Sequence, residues 1–133
     1  MKCLFCEIVK GDQPALKVWE NDDFLVFLDI KPINPGHLLL IPKQHSDDIF
    51  SLPDPLYDEM FKVAKKVSNT LREAVESKRV GLAIEGFGVP HAHIHLVPVN
   101  QGNELNPLRA KPASEDDLRG MQKVLTMHFG KVS

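Results

Sequence analysis

His91-Ala92-His93-Ile94-His95-Leu96-Val97-Pro98-Val99 decides how this chain folds. Three of the chain's six histidines alternate within five residues, and the residues between them are small or apolar. Alternation is the period of a β-strand. His91, His93 and His95 are therefore expected on one face of a sheet, with Ala92, Ile94 and Leu96 turned into a core on the other. The cluster is internal, interrupted and continued by strand-forming residues, unlike a tag or a low-complexity metal tract. The plain alternative is three solvated imidazoles on an exposed strand. The sharper one is the wall of a reaction site.

Outward from this strand, Val80–Ile84 reads as a neighbouring strand, joined through the tight loop Gly86-Phe87-Gly88-Val89-Pro90. Upstream, Val18–Glu20 and Phe24–Ile30 read as two strands meeting at the turn residues Asn21-Asp22-Asp23. A loop with two prolines and a glycine follows over 31–36. The apolar run His37–Pro42 then suits a central strand buried on both faces. Ser46 is expected to cap a short turn through Phe50. Asp54-Pro55 reads as N-cap and first residue of a long helix to about Ser77. Its stripe Leu56, Met60, Val63, Ala64, Val67, Leu71, Ala74, Val75 recurs at spacings of three and four. Ser114-Glu115-Asp116-Asp117 opens a final helix carrying Leu118, Met121, Leu125 and Phe129. The order of elements gives an α+β fold: a five-stranded, mostly antiparallel sheet with one long helix and a C-terminal helix. Residues 1–113 are expected to form the domain, with 114–133 a helical extension packed on it.

The 133 residues are 43% hydrophobic and 26% charged, with a formal net charge of −2. These values fit one globular domain and supply no basic stripe for a DNA or RNA polymer. No apolar run approaches the ~20 residues of a membrane span, and Met1–Glu7 lacks the apolar region of a secretory signal. A cytoplasmic protein is expected. A single nucleotide stays open as a ligand, because it needs only a few local groups.

Cys3 and Cys6 form a C-x-x-C pair. A structural disulfide is disfavoured in a cytosolic chain, and residues 1–6 cannot supply the strand that a thioredoxin-like pair needs. Two thiolates at this spacing suit one edge of a tetrahedral Zn²⁺ site, and histidines are the best remaining donors. His45 sits just past the third strand, and His91 begins the histidine strand. Two reduced cysteines in a metal-free fold are the alternative. In a regular strand, His91 and His95 lie about 13 Å apart at Cα, so all three triad rings do not readily share one ion.

Imidazole titrates near neutrality and can attack phosphorus, while neighbouring rings donate to the non-bridging oxygens. His93, flanked by His91 and His95, is the best placed nucleophile. His37 is either a further phosphate donor or a simple strand-start residue. Asp29 is either an acceptor for two ribose hydroxyls or the cap of a turn before Pro32.

The pattern His91-Ala92-His93-Ile94-His95-Leu96-Val97 resembles the signature of the histidine triad (HIT) superfamily. Cys3–Ile8, Phe27–Ile30 and Gly36–His45 support the resemblance, which spans roughly residues 3–99. It implies a homodimeric α+β protein that hydrolyses or transfers nucleoside monophosphates through a nucleotidyl-histidine, a purine nucleotide being the substrate. By position, His93 resembles the nucleophile, and His95 and His37 the phosphate-contacting histidines. Asp29 resembles the ribose-binding acid, and Leu4, Phe5, Ile8, Phe27 and Ile30 the slot for the base. Zinc-bearing members match at Cys3, Cys6, His45 and His91. The chain departs from the pattern before the triad. Ile84–Pro90 is short and lacks the usual Asn, Gln and Ser side chains. Gly88 stands at the Ser-like position, leaving the backbone N–H groups of Gly88 and Val89 to face a phosphate. That departure keeps a second function open, a nucleotide-binding or scaffold dimer with vestigial activity. A metallohydrolase with catalytic zinc on the triad is a third, disfavoured by the strand geometry.

Overall fold

In the computed structural model, which describes residues 3–130, five strands form one sheet. They are Lys17–Glu20 (β1), Phe24–Leu28 (β2), Leu38–Pro42 (β3), Arg79–Ala83 (β4) and Ile94–Val99 (β5). Their order is β1-β2-β3-β5-β4, and every pairing is antiparallel. Three helices complete an α+β fold: Leu4–Lys10 (α1), Asp54–Val75 (α2) and Glu115–Gly130 (α3). Positions 1–2 and 131–133, the outer ends of the two expected segments, lie outside the described residues.

The central place expected for His37–Pro42 is observed, and all five residues of β3 are buried. Alternation divides the apolar side chains between two cores. On one face, Val26, Leu28, Leu38, Leu40, Ile94 and Leu96 pack against Met60, Val67 and Leu71 of α2 and Leu125 and Phe129 of α3. On the other, Leu25, Phe27, Leu39 and Ile41 meet Cys3, Phe5 and Ile8 at the N-terminus. Each large side chain removed from water contributes roughly 1.5–3 kcal/mol, so both faces of the sheet are firmly held.

Several boundaries differ from expectation for local reasons. β2 ends at Leu28 because Asp29 closes a turn, its Oδ1 accepting from Lys31 N at 2.9 Å. The ladder of β5 begins at Ile94, so His91 does not begin a strand. Pro90 has no N–H, His91 N donates to Val89 O, and Ala92 N turns away to Ser46 O. α2 starts at Asp54 rather than being capped by it, since Tyr57 N already closes onto Pro53 O at 2.9 Å. Asp48, not Ser46, caps the short 3-10 turn Ile49–Ser51. Ser114 does cap α3, accepting from Asp117 N at 3.1 Å. Helix α1 was not expected. Its signals were the spacing of Leu4, Phe5 and Ile8 and the stop at Gly11, whose φ of 87° closes the helix.

Candidate catalytic cleft and metal centre

The alternation read from the sequence survives the irregular start of the histidine segment. Ala92, Ile94 and Leu96 enter the core under α2, while His91 and His93 lie on the α1 side, where both rings meet Phe5 edge-on. There the sheet and α1 enclose a cleft of about 790 Å³. Its lining includes His93 and His95 together with Leu4, Phe5, Ile8, Phe27, Asp29, Ile30, Gly88 and Val89, ten of the sequence-predicted site residues. Phe5, Ile8 and Phe27 form a buried floor. Ile30, 66% exposed, stands at the mouth because it follows β2 rather than belonging to it.

Hydrogen bonds assign the ring protons. His93 Nδ1 lies 2.7 Å from the His91 carbonyl, an acceptor only, so Nδ1 carries the proton and Nε2 holds the lone pair. His37 Nδ1 accepts from Ile33 N at 3.0 Å, which puts its proton on Nε2. That N–H donates to His95 Nδ1 at 2.9 Å, leaving His95 Nε2 as a donor. One ring thus presents a lone pair and its neighbour an N–H. His37 itself is 2% exposed and does not line the cleft; it stands behind His95. The Asp29 carboxylate, 3.6 Å from His37 Nε2, turns its other oxygen to Lys31 N.

Burial holds His37 down at about 4, against the opposing pull of Asp29. His95 is also lowered, first by burial and then by His93, with the Asp29 and Glu85 carboxylates opposing. Both rings are neutral at pH 7, as the hydrogen-bond chain requires. An unfolded chain protonates His37 near pH 6.5, the folded one only near 4. The stability this site contributes is therefore complete above pH 6.5 and is lost as pH falls through 4, a change of about 3 kcal/mol. Urea unfolding at pH 7.5 and pH 4.5 should show that drop, and His37→Gln should shrink it. An equal drop in both proteins would count against His37 as the source.

At the edge of the cleft, Cys3, Cys6, His45 and His91 bring one donor atom each within 4.8 Å of one another. Cys6 Sγ is 3.1 Å from His45 Nδ1 and 3.4 Å from His91 Nδ1, and the two Nδ1 atoms are 3.3 Å apart. Donors on a tetrahedral zinc stand about 3.3–3.8 Å apart, given bonds of 2.0–2.3 Å. Both rings aim lone pairs inward, because their Nε2–H groups are taken outside. His91 donates to Pro42 O at 2.8 Å and His45 to Asp47 Oδ1 at 3.0 Å. Burial and the neighbouring Cys3 push the Cys6 thiol up, so a cation between the sulfurs is what would favour thiolates. His91 reaches this corner because its segment bends before β5 starts. Asp29, His37 and His95 also converge, but the 2.9 Å contact between the rings is a hydrogen bond that occupies both facing nitrogens.

Other lining residues were not singled out in the sequence. Gln13–Ala15 follow α1, Lys31 follows Ile30, and Phe87 sits in the loop before the triad. Pro107 and Ala110 come from a strap beyond β5. It is tied down by Lys111 N to Pro32 O and Ala113 N to Ile30 O, and by Arg109 Nη2 to Asn34 Oδ1. Phe87 carried a signal, an aromatic between two glycines. The strap carried none.

The HIT domain family model matches residues 10–102. An uncharacterized HIT-like protein of Borreliella burgdorferi is 37% identical over 119 residues, 78% of this chain and 86% of its own length. The adenosine 5'-monophosphoramidase of Schizosaccharomyces pombe is 38% identical over 102 residues, 74% of each protein. A zinc-bound histidine triad family protein from Mycobacterium smegmatis superposes with a TM-score of 0.84 at 30% identity, covering 99% of this chain and 96% of its own. With the cleft, the alternating rings and these likenesses in agreement, the chain belongs to the HIT domain family.

Proposed function

We propose that the protein is a nucleotide hydrolase or nucleotidyl transferase that releases a purine nucleoside 5'-monophosphate through a nucleotidyl-histidine on His93. The observation that carries this reading is the pair of opposite tautomers. His93 Nε2 is a lone pair backed by the His91 carbonyl, and His95 Nε2 is an N–H backed by His37. In the proposed reaction Nε2 of His93 forms a bond to the α-phosphorus as the bond to the leaving group breaks. The His95 N–H donates to a non-bridging oxygen, where transition-state charge collects. Gly88 and Val89 offer backbone N–H groups to the same phosphate. The leaving group takes up a proton from solvent; water then attacks the phosphorus and gives a proton back to solvent as the bond to Nε2 breaks, releasing the monophosphate and restoring His93. Phe5, Ile8 and Phe27, with Leu4 and Ile30 at the rim, give the base an apolar slot, and Asp29 accepts from the ribose. His37 acts on the phosphate through His95 rather than by touching it.

Zn²⁺ is the ion the four donors fit. Cys3, Cys6, His45 and His91 would fill its coordination shell, so its role is to cross-link α1 to the sheet. Homodimer formation belongs to the same proposal. The outer edge of β4, unpaired among the described residues and carrying the exposed Leu82, is open to a second copy.

The test is a trap. Protein incubated with adenosine 5'-phosphoramidate labelled at phosphorus is denatured within the first turnovers. A label that requires His93 supports the nucleotidyl-enzyme. Turnover without label at any time point, combined with wild-type rates in His93→Ala, would falsify it.

A further inference from the structure

The loop that feeds the triad holds an aromatic side chain in an unusual place. Phe87 lines the cleft yet is 82% exposed, the opposite of what an unliganded phenyl ring gains from folding. Gly86 and Gly88 on either side have φ of 83° and 89°, and a Cβ at either would meet nothing within 4 Å. These glycines answer to backbone conformation, not crowding, and together they turn the ring out over the cleft.

Given the reaction proposed above, the direction of displacement says what part of the substrate Phe87 meets. Nucleophile and leaving group lie on opposite sides of the phosphorus. His93, 5% exposed, is on the floor, so the leaving group points toward the mouth. Phe87 stands there, with Ile30 beside the same opening. The loop over 84–89 brings no basic side chain; the cation in the cleft lining is Lys31, which follows Ile30.

We infer that Phe87 is the leaving-group specificity residue, selecting nucleoside 5'-phosphoryl substrates whose leaving group is planar and apolar. This rests on the proposed nucleotidyl transfer and narrows its substrate class. Stacking on one exposed ring gives about a 5- to 10-fold preference.

The measurement is kcat/KM for three adenosine substrates. The first is the phosphoramidate of tryptamine, the second the unsubstituted phosphoramidate, and the third diadenosine tetraphosphate. The wild-type protein is expected to favour the first over the second by at least about 5-fold, with the third lowest. Phe87→Ala should bring the first-to-second ratio to about 2 or below, and Phe87→Trp should keep it. The inference is overturned if Phe87→Ala lowers both amidates by the same factor, including through a change of oligomeric state seen by light scattering. It is also overturned if diadenosine tetraphosphate is the best substrate of the wild-type protein. Equal rates of labelling of His93 by all three substrates sink this inference and leave the nucleotidyl-enzyme standing; turnover without label, with wild-type rates in His93→Ala, sinks both.

Discussion

Replacing His93 with alanine should cut kcat/KM for adenosine 5'-phosphoramidate by about 10⁴-fold or more, while AMP still binds within a few-fold of wild type. Among the described residues lining the cleft, no other imidazole presents a lone pair. His95 presents an N–H instead of a lone pair, and His37 is sealed behind it. Binding should survive because Phe5, Ile8 and Phe27 still line the cleft. His93 packs edge-on against Phe5 at 5.3 Å, so alanine leaves a small void, and the near-isosteric His93→Asn controls for it. Both variants should keep the wild-type circular dichroism spectrum. Isothermal titration with AMP separates lost chemistry from lost binding, and a variant that keeps turnover would end the case for this nucleophile.

The second large effect is expected from the metal centre. Protein purified without chelator or added metal should carry about one zinc per chain. Removing it should lower the melting temperature by about 10 °C, corresponding to about 3 kcal/mol. α1 is only seven residues long and has no side-chain N-cap, too short to hold itself. Its place depends on the packing of Phe5 and Ile8 and on the corner that joins Cys3 and Cys6 to His45 and His91. Since Phe5 and Ile8 also floor the cleft, metal loss should raise KM more than it lowers kcat. Cys6→Ser should reproduce both effects. Metal analysis that finds no zinc, or melting unchanged by a chelator, removes the ion from the structure's account.

Much of this site was legible in the sequence because it is local. The alternation at 91–96 needs only neighbouring residues, and it told correctly which side chains face the core. β3 was recognisable as central because an unbroken apolar run is compatible with water on neither face. The irregular entry to β5 was not legible, because it depends on Ala92 reaching the carbonyl of Ser46, 46 residues away. The position of His37 behind His95 was hidden for the same reason. A histidine just before a strand looks alike whether its partner is substrate or another ring 58 residues along the chain. α1 was missed because seven residues give barely two turns of periodicity.

The strap over Pro107–Ala113 lies downstream of the span shared with the family model, yet two of its residues border the cleft. A module cut after residue 102 would keep His37, His45, the three triad rings and both cysteines, and would lose one bank of the cleft together with α3, whose Leu125 and Phe129 complete the core. Chimeras that exchange this bank between relatives should therefore trade substrate preference while the chemistry proposed for the rings beneath stays put.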